Sequence, residues 1–241
     1  MSYGFQVLND TGTVQIDQDY VNSRLSVTGS CSTHTGMFGT PPYTGVYDLH
    51  LELPAAINLD VEIPVVLIRP AALGKYVGSL QFIRNFSGST PTGTWSLRIV
   101  GQCPFDYAIF STLTTPVSDG SSHGLEVYRL DGSIAYSSRH SHPRITNTFQ
   151  IPSGPLTFPQ SFGFPSKSSI PWVLGNPLCI TWKGVGDMDE SIGGVMFRID
   201  SLASCTVHLL NMGTNLFDPI GSALYNPYEN VPARFAICDF A

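Results

Sequence analysis

Charge is scarce in this chain. Asp, Glu, Lys and Arg together make up 12% of its 241 residues, about half the share found in an ordinary globular domain. The basic residues never cluster and the net charge is −6, which argues against nucleic acid as a partner, since that needs a basic footprint. Long apolar runs are missing as well. None approaches the ~18 residues of a membrane-spanning helix, and the opening MSYGFQV does not read as a secretory signal. The cysteines, Cys31, Cys103, Cys179, Cys205 and Cys238, show no CxxC spacing, and their odd number cannot pair completely within one chain. Reduced, buried thiols are the expectation. Helical periodicity is missing from every window of about 11 residues or more. No GxSxG elbow, HExxH, GxxxxGK[ST], strand-linked GxGxxG or zinc-type Cys/His spacing occurs. The chain is therefore read as non-enzymatic, with no cofactor and no metal.

Glycine and proline are plentiful, at 23 and 18 residues, and stand in short clusters between apolar runs. That mixture suits many strands joined by tight turns. Strands are expected at 4–8, after the turn Asn9-Asp10-Thr11-Gly12 through Val14 and Ile16, from Arg24 through Val27, and in GVYDLHLELP, where Leu49, Leu51 and Leu53 alternate with His50 and Glu52. The segment DVEIPVVLIRP ends in a continuous apolar run, as a strand covered on both faces would. Further strands are expected at 77–85, 94–101, 106–113, 124–129, 133–137, 144–151, 177–183, 194–200, 204–211 and 233–240. Two stretches read as long functional loops, 28–44 and 152–176.

The opening is repeated. Residues 4–25 align without a gap on 124–145, so that Gly4, Val7, Gly12 and Arg24 recur as Gly124, Val127, Gly132 and Arg144. RFAIC at 234–238 likewise echoes DYAIF at 106–110. This spacing is too long for a solenoid unit and matches a duplicated domain. The expected architecture is all-β: two tandem related β-sandwich-like modules at 1–114 and 123–241, joined by a linker at 115–122.

Candidate chemistry is thin. His140 and His142 stand two apart, the spacing at which a strand points two imidazoles at one metal; the repeat partner Tyr20-Val21-Asn22 has no histidine there, so a polar loop before Pro143 is the preferred reading. Asp187, Asp189 and Glu190 resemble part of a calcium loop but lack its further ligands, as a hairpin tip would. A polysaccharide hydrolase would need paired carboxylates, for which Asp187, Asp189 and Asp200 are the available residues. Phe158, Phe162, Phe164 and Trp172 crowd one Pro-rich section. Exposed, Phe162, Phe164 and Trp172 would stack on a glycan or wedge into a partner; buried, they cap a sandwich. An arginine repeated as Arg24 and Arg144 is expected to hold a carboxylate or a carbonyl at the edge of each module.

The repeated opening, Tyr3-Gly4-Phe5-Gln6-Val7 with Gly12 and His123-Gly124-Leu125-Glu126-Val127-Tyr128 with Asp131-Gly132, resembles tail proteins of tailed bacteriophages over about 25 residues of each half. The resemblance implies a virion component of the distal tail (tail tip, baseplate or fibre attachment) assembled in the host bacterial cytoplasm. Its partners would be other tail proteins and itself, as a homo-oligomer such as a trimer. It carries no catalytic residues. The alternative is an adhesin that recognises a host surface glycan.

Overall fold

The computed structural model describes residues 6–8, 14–17, 22–33, 47–114, 124–129, 131–151, 158–176, 180–185, 189–211 and 233–239. Every regular element among them is a strand, and none is a helix. The first half supplies β1 (Gln6–Leu8), β2 (Val14–Asp17), β3 (Arg24–Cys31), β4 (Tyr47–Glu52), β5 (Val65–Pro70), β6 (Tyr76–Ser87), β7 (Thr90–Gly101) and β8 (Phe105–Ser111). The second supplies β9 (Glu126–Tyr128), β10 (Ile134–Ser137), β11 (Arg144–Ile151), β12 (Gln160–Gly163), β13 (Trp172–Leu174), β14 (Ile180–Val185), β15 (Asp189–Ser201), β16 (Ser204–Asn211) and β17 (Ala233–Asp239).

Alternation of apolar side chains along these strands requires two faces to be buried. Two antiparallel sheets answer that need. One runs β11-β17-β13-β5-β8-β3, the other β12-β16-β15-β6-β7-β4 with β14 also on β15. Both orders are palindromic with respect to the repeat. Each half contributes three strands to each sheet, the second half adding β14 to one of them, and a hairpin (β1-β2 or β9-β10) stands apart. The registers agree position by position. Arg24 faces Ser111 and Arg144 faces Asp239; Leu25 faces Phe110 and Ile145 faces Cys238. Both strands then slip by one residue, and Cys31 meets Phe105 as Ile151 meets Ala233. The all-β class and the duplication read from the opening and closing segments thus reappear as paired, equally irregular strands.

The halves are fused and do not hang as separate beads. Leu67 pairs with Leu174 and Ile68 with Val173 in one sheet, while Val77 pairs with Phe197 in the other. At the first junction Gly175 N donates to the Val66 carbonyl at 2.7 Å, and Asn176 accepts from Val66 N at 2.9 Å while donating to the Pro64 carbonyl at 2.7 Å. A side-chain amide here continues the ladder where the strand stops. One core between the sheets draws on both halves, including Val66, Ile68, Phe105 and Ile109 with Val173, Phe197, Val207 and Phe235, all at 0–1% exposure. Burying each such side chain is worth roughly 1.5–3 kcal/mol. The six-stranded sheet is also buried on its other face, where Leu67, Ala108, Phe110, Trp172, Ala236 and Cys238 pack together. The division at 115–122 lies outside the described residues.

The expected loops are partly strand. β3 continues to Cys31, inside the stretch 28–44, and β12 and β13 lie inside 152–176. Proline hid the latter two. Pro159, Pro165 and Pro171 flank these short strands without interrupting them, so they cost the ladder no donor. A signal was nevertheless present: Ile63-Pro64-Val65-Val66-Leu67 recurs as Ile170-Pro171-Trp172-Val173-Leu174, and it marks β5 and β13 as counterparts.

Candidate functional site: open edges and the outer face of the six-stranded sheet

β11 bounds the six-stranded sheet and, among the described residues, pairs with β17 alone. Its sequence explains both facts. Phe149 stacks on Phe162 at 4.4 Å and on Phe235 at 5.8 Å, anchoring one face. Arg144, Ile145, Thr146, Thr148 and Gln150 are exposed, with Ile145 at 63%. From Ile145 to Ile151 there is no charge, no proline and no glycine. Natural edge strands are usually protected by such residues against pairing with another chain. Here protection is confined to the first turn of the edge, where the register slips between Ile145 and Asn147 and Lys167 Nζ donates to Thr146 Oγ at 2.8 Å.

β3, its counterpart, forms the opposite edge and is equally uncharged from Leu25 to Cys31. Gly29 is required in its middle. A Cβ there would lie 2.5 Å from Tyr107 Oη and 2.8 Å from its ring, so the tyrosine of β8 covers the strand where a side chain would stand. The start of β3 is held from the second half, with Leu25 N donating to the Ser141 carbonyl at 2.9 Å and Asn22 N to the Ala135 carbonyl at 3.0 Å.

Across the outer face, Ser30, Asp106, Arg69 and Trp172 form one row over β3, β8, β5 and β13. Asp106 accepts from Ser30 Oγ at 2.5 Å and from Arg69 Nη2 at 2.6 Å, and the Arg69 guanidinium lies 4.6 Å above the Trp172 ring. Burial works to raise the Asp106 pKa, but the Ser30 and Arg69 hydrogen bonds and the Arg69 charge outweigh it, so the carboxyl sits below its ordinary value. With Thr28 and Gly29 these residues line a shallow pocket of about 430 Å³.

The remaining residues singled out from the sequence fall as follows. Phe164 and Trp172 are 8% and 9% exposed and belong to buried clusters, and Phe162 packs against the core. Phe162 and Phe164 therefore face the core between the sheets, while Trp172 lies on the outer face of the six-stranded sheet beneath the Arg69 guanidinium. The reason is register: β12 sets Phe162 against Cys205 of β16, and β13 sets Trp172 against Cys238 of β17. His142 turns both ring nitrogens toward carbonyls, Ser23 O and Ser137 O, each at 2.9 Å, and stacks on Tyr136 at 4.9 Å. Neither nitrogen points away toward an ion shared with His140. Among the described residues no group of three His, Cys, Asp or Glu is placed to hold a metal. Asp187 lies outside the described residues, Asp189 and Glu190 open β15, and Asp200 accepts from Arg198 and Thr206 at 2.5 and 2.6 Å. Cys31, Cys103, Cys205 and Cys238 are buried and unbridged, while Cys179 lies outside the description. Of the repeat residues, Gly4 and Gly12 also lie outside it, and Val7 is in β1. Gly124 is exposed, Val127 is buried, and Gly132 takes a positive φ of 83° in the expected turn. Arg24 is buried and Arg144 exposed.

Comparison of the chain with protein-family models, with curated proteins and with solved structures finds no match.

Proposed function

We propose that this chain is a non-enzymatic structural component of a bacteriophage tail, at the tail tip, baseplate or fibre attachment, and that it acts by oligomerisation and docking. The observation that carries the reading is the uncharged, exposed edge of β11. Seven consecutive strand residues without charge, proline or glycine, Ile145 to Ile151, are a template for another chain, and in an assembled particle a neighbouring subunit covers such an edge. Closed symmetric arrangements are the usual outcome of that kind of contact. The repeated opening that resembles phage tail proteins supplies the setting. The test is mass spectrometry of gradient-purified particles from the source, with immunogold labelling. Label at the tail tip is the expected result; absence of the protein from particles removes this reading.

A glycan-binding adhesin is the second reading, and the pocket beside Trp172 favours it. A carboxylate, a guanidinium, two hydroxyls and an indole edge converge there, which are groups that bind sugar hydroxyls. Filling it from its exposed rim, with Thr28→Trp and Ser30→Trp, leaves the core intact. Loss of binding to fixed host cells in these variants supports an adhesin, and unchanged binding excludes this pocket.

A further inference from the structure

Arg24 is buried by the fold, and no carboxylate among the described residues pairs with it. Only 9% of its surface reaches solvent. Its Nη2 donates to the Thr112 carbonyl at 3.4 Å, which is long for such a bond, and its buried Nε has no partner among the described residues. None of the ion pairs among the described residues includes it. The carboxylate on the adjoining segment, Glu62, is otherwise engaged: it accepts from Thr112 N at 2.9 Å, Thr112 Oγ at 2.7 Å and Ser111 Oγ at 3.1 Å. Burial draws the Arg24 pKa below its ordinary value, yet a guanidinium does not deprotonate in a protein. The desolvated charge therefore persists, and an uncompensated buried charge is strongly unfavourable.

The duplication shows what is missing. Opposite Arg144, the cross-strand position holds Asp239, whose carboxylate takes Lys167 Nζ at 3.1 Å; opposite Arg24, the same position holds Ser111. The first half has kept the arginine and has no acid across from it. It has also clamped the backbone on both sides of the arginine. Ser23 O accepts from His142 Nδ1, Leu25 N donates to the Ser141 carbonyl, and β8 lies on the other side. Beside this knot stand exposed apolar side chains. Val61 and Ile63, on either side of Glu62, are 71% and 67% exposed, and Leu113, next to Thr112, is 39% exposed.

We propose that Arg24 is a socket for a carboxylate delivered by a neighbouring protein, as an Asp or Glu flanked by aliphatic residues that cover Val61, Ile63 and Leu113. A guanidinium offers a planar fork of donors matched to a carboxylate. Its burial in the free chain means that little further desolvation is required when the partner arrives, and a central arginine within an apolar surround is a common anchor of protein interfaces. That the neighbour is a tail protein rests on the function proposed above; the socket itself does not.

The probe is hexanoate, a carboxylate with a short apolar tail, with hexan-1-ol as the uncharged control. Both are titrated into the full chain while the Arg24 Nε–H resonance and the melting temperature are followed. Hexanoate is expected to move the resonance and raise the melting temperature, and hexanol to do neither. Ser111→Asp places an acid across from Arg24, at the register position that Asp239 holds in the second half. It also removes the hydroxyl that donates to Glu62, so its readout is the abolished hexanoate response and not the melting temperature. Arg24→Met is expected to fold at least as stably as the parent and to ignore hexanoate. An unmoved Arg24 resonance, equal responses to hexanoate and hexanol, or a Ser111→Asp variant that still responds overturns the socket. In complementation, Arg24→Met should be excluded from particles that accept the parent. If the parent itself is absent from particles, the tail reading falls and the hexanoate experiment still decides the socket.

Discussion

At the scale of single residues, the most consequential pair outside the proposed socket is Asp48 with Arg98. Both are nearly inaccessible, with side chains 3% and 8% exposed, and they meet in a two-pronged contact at 3.0 and 3.1 Å. Removing one partner deprives a buried charge of its two-pronged counter-ion. Asp48→Ala is expected to lower stability by about 3–5 kcal/mol, whereas the double replacement Asp48→Leu with Arg98→Met is expected to be close to neutral; urea denaturation measures both. The thiols give a second expectation. Burial pushes Cys205 and Cys238 each up to about 12 from the ordinary 9.0. A group whose folded pKa is raised contributes stability that is whole below its unfolded pKa and is lost as pH rises toward the folded one. Denaturation midpoints should therefore hold up to about pH 9 and fall between there and about 12. Cys238→Ala should flatten that fall, and a midpoint independent of pH across the window would contradict it.

At the scale of elements, β11 and β3 show how one repeated strand is put to two uses. Both begin with arginine, slip after the second residue and pair with equivalent partners, yet β3 is held at its start by the second half while β11, among the described residues, pairs with β17 alone. Placing charge on the open edge tests its role. Thr148→Lys with Gln150→Lys is expected to make the purified chain monomeric, where the parent self-associates with rising concentration in light scattering. Exposed substitutions of this kind change stability by only about 0.5 kcal/mol, so melting should barely shift. A parent that stays monomeric at every concentration would remove β11 as a self-pairing edge.

At the scale of the molecule, the two halves behave as a covalent dimer. The junctions Leu67–Leu174 and Val77–Phe197 continue each sheet from one half into the other, and residues of both halves fill one core. Neither half can close that core alone. Residues 1–122 and 123–241, produced separately, are expected to aggregate or lack dispersed amide resonances, because each would expose an edge strand and a fully buried face. Produced together, they are expected to copurify and unfold as one. Two independently folding monomers would show that the junction is not needed.

The sequence by itself determined what depends on neighbours along the chain. Alternation of apolar residues set the all-β class, Asp131-Gly132 set its turn, and the recurrence of Gly-x-x-Val with a later arginine exposed the duplication. These are legible because a strand's period and a turn's φ are local properties. The prolines around β12 and β13 masked two strands that the recurrence of Ile-Pro-x-Val-Leu could have revealed. Only the tertiary structure decided which edges join, that Phe164 enters the core while Trp172 lies on the outer face, and that Arg24 is buried opposite a serine while Arg144 faces the position of an aspartate. Those outcomes rest on register between strands far apart in sequence. A slip of one residue reverses which face a side chain occupies, and no local pattern specifies that register.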